Sequence, residues 1–267
     1  MNKTQLLPDR PGIPPMAKLP DPETVDPGEL LRAYESGEID LICVLGPTAS
    51  GKTRYAVELA RALGKAEILS ADSRQVYTGM DIGTGKDLGE YGDVPYHLID
   101  IVPAGMKFNI YQYQSAFADA WADVRSRGAI PILCGGSGLY IESATRAYKF
   151  EKDNGVPVSR LPQSVYYIGT LVSREERVAR IDRRLEERLK EGLVEEIRGL
   201  LESGIPADDL IYYGLEYKFV TQYVLGQLSY EDMVVALGNA IHQFAKRQMT
   251  WFRGMERDGV RIHWVRP

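Results

Sequence analysis

Gly46-Pro47-Thr48-Ala49-Ser50-Gly51-Lys52-Thr53 fits the pattern G-x-x-x-x-G-K-[ST] of a phosphate-binding loop. Glycines in such a loop let backbone N–H groups curl around phosphate oxygens. Lys52 adds a cation, and the Thr53 hydroxyl can hold Mg²⁺. An apolar run, Ile39 to Leu45, precedes the loop, and a run with helical periodicity, Tyr55 to Leu63, follows it. The sequence therefore predicts a loop that holds the diphosphate or triphosphate end of a small substrate.

The rest of the chain alternates between buried-type strands, glycine turns and helices. The predicted strands are Ile39–Leu45, Ala66–Ser70, Tyr96–Val102, Ala129–Cys134, Val165–Val172 and Val260–Val265. The predicted helices are Tyr55–Leu63, Tyr111–Ser126, Arg174–Leu201, Asp208–Leu225 and Tyr230–Phe252. This order predicts an α/β fold, a P-loop NTPase-like doubly wound parallel sheet with C-terminal helices.

The chain divides into two parts of different composition. Residues 1–37 hold many prolines and few large apolar side chains, which predicts an extended N-terminal arm. Residues 38–267 form the P-loop domain. Inside it, residues 150–164 are a short polar connection with Gly155, Pro157 and Pro162.

Bulk properties limit the class of protein. Hydrophobic residues make up 44% and charged residues 26% of the 267 positions, as in a soluble globular protein. We expect no membrane association and no secretory signal, because no apolar run is long enough for either. Cys43 and Cys134 lie in apolar runs, which favours small core residues in a reducing compartment, so a cytoplasmic location is expected.

Charge is distributed unevenly along the chain. A net charge of −5 argues against indiscriminate nucleic-acid binding. From Gln243 to the end, however, six cations stand against two anions, a net charge of +4. This segment is either an ordinary solvated surface or the one place where the protein meets a polyanion.

Asp72 follows the predicted strand Ala66–Ser70 directly. The carboxyl ends of parallel strands carry the ligands of open sheets, so Asp72 is expected on the same rim as the phosphate-binding loop. A carboxylate there can accept a proton from an attacking nucleophile, whereas the alternative is a turn residue that bonds its own backbone. The strand Ile130–Cys134 ends in glycines instead of an acidic residue, which favours a group-transfer enzyme over a motor or switch and leaves a small-molecule kinase possible.

Taken together, the segments resemble the tRNA dimethylallyltransferases. Besides the phosphate-binding loop, the matching segments are Ala71-Asp72-Ser73-Arg74-Gln75-Val76-Tyr77, Met80-Asp81-Ile82-Gly83-Thr84-Gly85-Lys86, Tyr96-His97-Leu98-Ile99-Asp100, Gly135-Gly136-Ser137-Gly138-Leu139-Tyr140 and Lys246-Arg247-Gln248-Met249-Thr250-Trp251-Phe252-Arg253. They stand in the family's order from about Ile39 to Trp264. The phosphate-binding loop is shared by many enzymes, and its combination with the other segments is far more specific.

The resemblance implies a magnesium-dependent transfer of dimethylallyl from its diphosphate to N6 of an adenosine in a tRNA anticodon loop. The implied catalytic residues are Asp72 as the base, Thr53 and Arg180, and Thr53 is also the implied metal ligand. The implied diphosphate-binding residues are Gly46, Thr48, Ala49, Ser50, Gly51, Lys52, Thr53, Ser137 and Arg184. We expect a monomer with dimethylallyl diphosphate and tRNA as its partners.

Candidate RNA-binding residues offer cations, amides and an indole ring, the groups that hold splayed bases and phosphates. They are Ser73, Arg74, Gln75, Lys246, Arg247, Gln248, Trp251 and Arg253. The chain departs from the family in one large respect, because a helical insertion that embraces the anticodon stem is replaced by residues 150–164. The family's Gly-Tyr-[Lys/Arg]-[Glu/Gln] motif is replaced by Gly214-Leu215-Glu216-Tyr217-Lys218. Two alternatives therefore stay open: the same transfer to a free adenine nucleotide, and a P-loop kinase or nucleotide-binding module.

Overall fold

The computed structural model describes residues 20–146 and 155–267. The strands are β1 (Leu41–Leu45), β2 (Ala66–Ser70), β3 (Tyr77–Thr78), β4 (Tyr96–His97), β5 (Val102–Pro103), β6 (Ile130–Gly135), β7 (Val165–Thr170) and β8 (Ile262–Val265). The helices are α1 (Pro27–Glu35), α2 (Lys52–Leu63), α3 (Ile110–Ser126), α4 (Gly138–Thr145), α5 (Arg174–Glu191), α6 (Leu193–Glu202), α7 (Ala207–Tyr213), α8 (Leu215–Val224) and α9 (Tyr230–Arg257). No helix in these ranges is both long and apolar enough to cross a membrane.

A parallel sheet of six strands forms the centre, in the order β4-β2-β6-β1-β7-β8. Every residue of β1 is buried, because helices cover both faces of the sheet. One face packs against α1 and α2, and the other packs against α3, α4 and the C-terminal helices. This is the doubly wound P-loop architecture that the sequence predicts.

The register of the central strands brings three loops to one rim. Leu45 at the end of β1 pairs with Gly135 of β6 on one side and with Gly169 of β7 on the other. The strands are parallel, so the segments that follow them leave the sheet at the same edge. The phosphate-binding loop, the turn after β6 and the end of β7 are therefore neighbours.

The N-terminal segment differs from the predicted extended arm over residues 20–37. These residues contain α1, which starts at Pro27 after an N-cap in which Asp26 Oδ1 accepts a hydrogen bond from Gly28 N at 2.9 Å. Leu30 of this helix is buried, and Glu23 N donates to Trp264 O at 2.7 Å. The segment is thus packed onto the domain. Residues 1–19 lie outside the described residues.

Glycines divide two of the predicted C-terminal helices. The prediction of a continuous helix over 174–201 is wrong, since Gly192 has φ +105° and separates α5 from α6. The predicted helix 208–225 is likewise interrupted at Gly214, which separates α7 from α8. The predicted strand 96–102 is reduced to β4 and β5, which belong to different sheets. Of the connection 150–164, residues 150–154 lie outside the described residues, and Val158–Arg160 form a 3-10 turn.

Candidate active site

The phosphate-binding loop, residues 46–53, joins β1 to α2 and is held in shape by the end of β7. Ser50 Oγ and Thr170 Oγ1 are 2.6 Å apart and both side chains are fully buried. Gly46 lies so close that a Cβ on it would overlap Thr170 Oγ1 and would stand 2.6 Å from Ser50 Oγ. Ala49 and Gly51 have φ +60° and +82°, which curls the loop tightly. The loop has the form that an anion cradle requires.

Lys52 begins α2 and lies half-buried beside this cradle. Burial lowers the pKa of its ammonium group, and the negative charge of Asp72 acts in the opposite direction. The positive end of α2 points at the same place. A phosphate group in the loop would therefore meet a desolvated cation and a helix N-terminus together. The Asp72 turn leaves the sheet at the same edge, because Ser70 at the end of β2 pairs with Cys134 of β6.

Asp72 is partly exposed and is oriented by its own turn. Its Oδ1 accepts a hydrogen bond from Arg74 N at 2.9 Å, and its backbone N donates to Ser70 Oγ at 3.3 Å. Within residues 20–146 and 155–267, its Oδ2 accepts no hydrogen bond. The turn role and a site role are thus compatible, because the turn uses one oxygen and leaves the other for a ligand.

A chain of hydrogen bonds connects the Asp72 turn to helix α5. Ser70 Oγ donates to Gln75 Oε1 at 3.2 Å, and Gln75 Nε2 donates to Gly85 O at 3.1 Å. Arg184 Nη2 donates to the same carbonyl at 3.3 Å and also pairs with Asp87. Gln75, predicted to bind RNA, therefore has both amide atoms bonded within the protein.

Arg180, predicted to be catalytic, and Arg184, predicted to bind the diphosphate, lie on α5 at the side of the loop. Arg180 pairs with Glu176 at 2.5 Å, and its Nη1 would be 3.5 Å from a Cβ on Gly51. The charge of Arg184 lowers the pKa of Lys52. Both guanidinium groups are thus within electrostatic reach of the cradle.

The glycine-rich turn, residues 135–138, lies beside the Asp72 turn. Ser137 Oγ accepts a hydrogen bond from Ser73 N at 3.0 Å and donates to Ser73 Oγ at 3.2 Å. Gly138 is required by packing, since a Cβ there would overlap the Trp251 indole. Trp251, predicted to bind RNA, is half-buried against this turn.

Gln248 has a different place from the one that the sequence predicts for an RNA-binding residue. It is buried, with 8% of its surface exposed. Its Oε1 accepts a hydrogen bond from Thr48 N at 2.8 Å, and its Nε2 donates to Gly136 O at 2.9 Å. Gln248 therefore ties the phosphate-binding loop to the glycine-rich turn. The Thr48 amide is correspondingly engaged by protein and is not offered to a diphosphate. Surrounding cations made Gln248 look like a surface residue.

We expect Gln248→Ala to lower the free energy of unfolding by about 1–3 kcal/mol, because Thr48 N and Gly136 O lose their partner. The loop would also lose a fixed shape, so the KM for a diphosphate donor should rise more than kcat falls. Urea unfolding and steady-state kinetics measure the two effects. Gln243→Ala, on the exposed face of the same helix, is the control. Equal behaviour of the two variants would contradict this role.

Arg188 and Glu216 form a partly buried pair behind the site that the sequence analysis missed. Their closest atoms, Nη1 and Oε1, are 3.4 Å apart. Burial lowers the pKa of Arg188, and the charges of Glu216 and Asp72 oppose this shift. Gly85 has φ +60°, which favours glycine, and a Cβ there would displace the guanidinium group of Arg188. Glu216 lies in the segment that departs from the family motif. That departure was the feature of the sequence that could have indicated this pair.

The segment around Lys86 has a structural role. The buried ammonium group of Lys86 donates to Tyr77 O at 2.7 Å and pairs with Asp81 at 2.5 Å and with Asp100. The carboxylate of Glu196 accepts hydrogen bonds from backbone N–H groups of the adjoining residues, Asp81, Ile82 and Gly83, at 2.7–3.0 Å. These bonds hold the loop that carries Gly85 against the C-terminal helices.

The predicted RNA-binding residues near the end of α9 fall into two groups. Lys246 and Arg247 are exposed. Arg253 lies inward, with its guanidinium carbon 5.3 Å from the Trp264 ring centre and its Nη1 2.9 Å from Glu256 Oε2. On this segment, therefore, only Lys246 and Arg247 present their cations to solvent. The packing of Arg253 against Trp264 and Glu256 disfavours its predicted contact with RNA.

The residues at the rim fit a magnesium ion that is shared with a substrate. In the described ranges no group of three or more His, Cys, Asp and Glu side chains could hold a metal ion alone. Mg²⁺ commonly keeps several waters and binds through one or two protein oxygens plus substrate phosphates. Thr53, at the start of α2, is an oxygen donor of this kind.

Family profiles match most of the folded chain. A profile described as IPP transferase matches residues 75–163 and 149–255, and one described as isopentenyl transferase matches residues 39–91. The tRNA dimethylallyltransferase 1 of Porphyromonas gingivalis is 47% identical over 282 aligned positions, which cover 84% of this chain and 93% of that protein. The aligned 84% corresponds to about 224 residues of this chain, so roughly 58 of the 282 aligned positions are present in that protein and absent from this chain. The tRNA dimethylallyltransferase 2 of Syntrophotalea carbinolica is 44% identical, covering 85% of this chain and 94% of that protein.

Solved structures share the fold. The full-length tRNA isopentenylpyrophosphate transferase of Bacillus halodurans superposes with a TM-score of 0.72 at 29% identity, covering 85% of this chain and 89% of that chain. A eukaryotic dimethylallyltransferase described as acting on tRNA has a TM-score of 0.71 at 18% identity, over 85% of this chain and 74% of that chain. The second likeness supports the fold alone.

Proposed function

The chain belongs to the tRNA dimethylallyltransferase family, and from that premise we propose that it transfers a dimethylallyl group from dimethylallyl diphosphate to N6 of an adenosine in tRNA, releasing diphosphate. One observation carries the proposal most directly. The anion cradle of residues 46–53 follows β1 and the Asp72 turn follows β2, and both strands pair in parallel with β6, so the two segments leave the sheet at one edge. A leaving anion and a nucleophile that must lose a proton need these two groups side by side.

The cradle would bind the diphosphate and stabilise the charge that it carries away. Lys52, the loop amides and the N-terminus of α2 are fixed before the substrate arrives, so they cost no reorganisation during the reaction. Arg180 and Arg184 add cations from the other side. Mg²⁺, held by Thr53 and the substrate phosphates, would supply further neutralisation of the leaving diphosphate.

Asp72 would act as the base. The adenine amine is a poor nucleophile, so removing its proton while the new C–N bond forms lowers the barrier. As that bond forms, the C–O bond to diphosphate breaks and its electron pair leaves with the diphosphate. The Oδ1 contact with Arg74 N keeps the carboxylate oriented, and Oδ2 is available for the N6 proton.

The acceptor that we propose is tRNA and not a free nucleotide. Relatives of 44–47% identity are named for action on tRNA. Lys246 and Arg247 provide exposed cations near the glycine-rich turn that carries Ser137. The positions missing from this chain reduce the surface that can hold RNA, which is the observation that favours a free adenine nucleotide as the second candidate.

The test offers labelled dimethylallyl diphosphate with unmodified tRNA, with AMP, or with neither, in the presence of Mg²⁺. We expect label in tRNA and none in AMP, and we expect EDTA to abolish the transfer. Label in AMP alone would replace the tRNA proposal by the nucleotide one. ATP hydrolysis without prenyl transfer would point to the kinase alternative.

A further inference from the structure

Tyr212, in the last turn of α7, is the most exposed large apolar side chain of the described ranges, with 68% of its surface accessible. Its neighbour Tyr213 is buried, and its ring lies 4.4 Å from that of Tyr77. The Tyr213 hydroxyl accepts a hydrogen bond from Gly105 N and donates one to Met106 O, each at 2.9 Å. Anchoring Tyr213 in this way fixes the helix end from which Tyr212 projects.

Arg74 links Tyr212 to the candidate base. Its backbone N donates to Asp72 Oδ1, and its Nη1 donates to Tyr212 O at 3.3 Å. The guanidinium group lies along Gly214, where a Cβ would be 3.0 Å from Nη1. The break between α7 and α8 therefore accommodates this arginine, which connects the main chain at Tyr212 to the Asp72 turn.

The electrostatics of Tyr140 support the same placement. Burial raises the pKa of Tyr140, and the charges of Asp72, Arg74 and Tyr212 all act on it as well. Tyr140 belongs to α4, directly after the glycine-rich turn. The hydrogen bonds of Arg74 with Asp72 Oδ1 and with Tyr212 O make the three residues neighbours at the carboxyl end of the sheet.

We propose that Tyr212 and Arg74 form a stacking subsite for a nucleobase next to the adenosine that reacts. This inference rests on the proposed function. Enzymes that modify a base in an RNA loop splay it out of the stack and support neighbouring bases on aromatic rings or guanidinium planes. Here the exposed ring of Tyr212 supplies the aromatic surface. The guanidinium group of Arg74, beside the proposed catalytic carboxylate of Asp72, supplies the planar cation.

The proposal also accounts for the exposure of Tyr212. A tyrosine ring with two thirds of its surface in water gains little from folding, and its hydroxyl makes no hydrogen bond within the described residues. A single base stacked on an aromatic side chain contributes about 1–3 kcal/mol to RNA binding. In a chain that lacks roughly 58 positions of its relatives, contacts close to the reacting centre carry a larger share of RNA recognition.

The experiment compares Tyr212→Ala, Tyr212→Phe and Tyr230→Ala in the full chain. Tyr230 is a matched control, because it is 42% exposed but starts α9, about 27 Å along that helix from Gln248. Fluorescence anisotropy of a labelled anticodon stem-loop RNA measures Kd, and label from dimethylallyl diphosphate measures transfer. Circular dichroism checks that each variant is folded.

We expect Tyr212→Ala to raise the Kd and the KM for RNA about fivefold to a hundredfold, as loss of one stacked base predicts, with the KM for the donor unchanged. Tyr212→Phe keeps the ring and should stay close to wild type, as should Tyr230→Ala. An unchanged Kd for Tyr212→Ala would overturn the subsite. If the wild type bound RNA without transferring the label, the proposed function would fail and the same Kd comparison would still decide the subsite. A wild type that bound no RNA would overturn both.

Discussion

Asp72→Asn is expected to lower kcat for prenyl transfer about a hundredfold to ten-thousandfold, the range of a lost general base. The amide keeps an oxygen that can accept the hydrogen bond from Arg74 N, so the turn and the rim should stay in place. What is lost is the ability to take the N6 proton. Steady-state kinetics with saturating donor and tRNA measure kcat, and KM values close to wild type would show that binding is preserved.

The control for this substitution is Asp93→Asn. Asp93 is an exposed carboxylate that pairs with Arg61 at 3.0 Å, so its loss should leave turnover within about twofold, as expected for a surface ion pair. An Asp72→Asn enzyme with wild-type kcat would remove Asp72 from the chemistry and leave only its turn role.

Lys52→Ala is expected to lower kcat/KM for dimethylallyl diphosphate about a hundredfold to a thousandfold, as removal of a preorganised donor to a developing anion does elsewhere. The ammonium group is half-buried, so its interaction with a diphosphate is screened less than that of a fully exposed cation. Kinetics at varied donor concentration, with saturating tRNA and Mg²⁺, give the ratio.

Arg54→Ala is the control that separates the effect of losing Lys52 from the effect of losing any positive charge near the loop. Arg54 lies in the same first turn of α2, but its side chain is 80% exposed and pairs with Glu58 at 2.9 Å. Its removal should change kcat/KM by less than about threefold, because an exposed pair contributes little. A Lys52→Ala loss no larger than that of Arg54→Ala would contradict the role of the cradle.

Local sequence patterns predicted the parts of the fold and of the site that depend on interactions between residues close together in the chain. The phosphate-binding loop between an apolar strand and a helix, and the place of Asp72 after a second strand, follow from residues that are adjacent in the chain. The helix over 111–126 is observed as Ile110–Ser126 with a capping box at Asn109.

What the sequence missed depends on contacts across the fold. Gln248 lies 200 positions from Thr48, and only the packing of α9 against the rim reveals their hydrogen bond. The break at Gly192 was overlooked because charged residues of helical periodicity continue on both sides of it. Tyr212 gave no signal, because Leu210 and Tyr213 of the same short helix are buried and only the packing of α7 shows that Tyr212 faces solvent.

The most direct measurement is mass spectrometry of nucleosides from unmodified tRNA after incubation with this protein, dimethylallyl diphosphate and Mg²⁺. The account predicts an adenosine that has gained one dimethylallyl group at N6, located in the anticodon loop, and its absence when Asp72→Asn replaces the wild type. Unmodified adenosine throughout the tRNA, with the donor left intact by the folded wild-type protein, would contradict it.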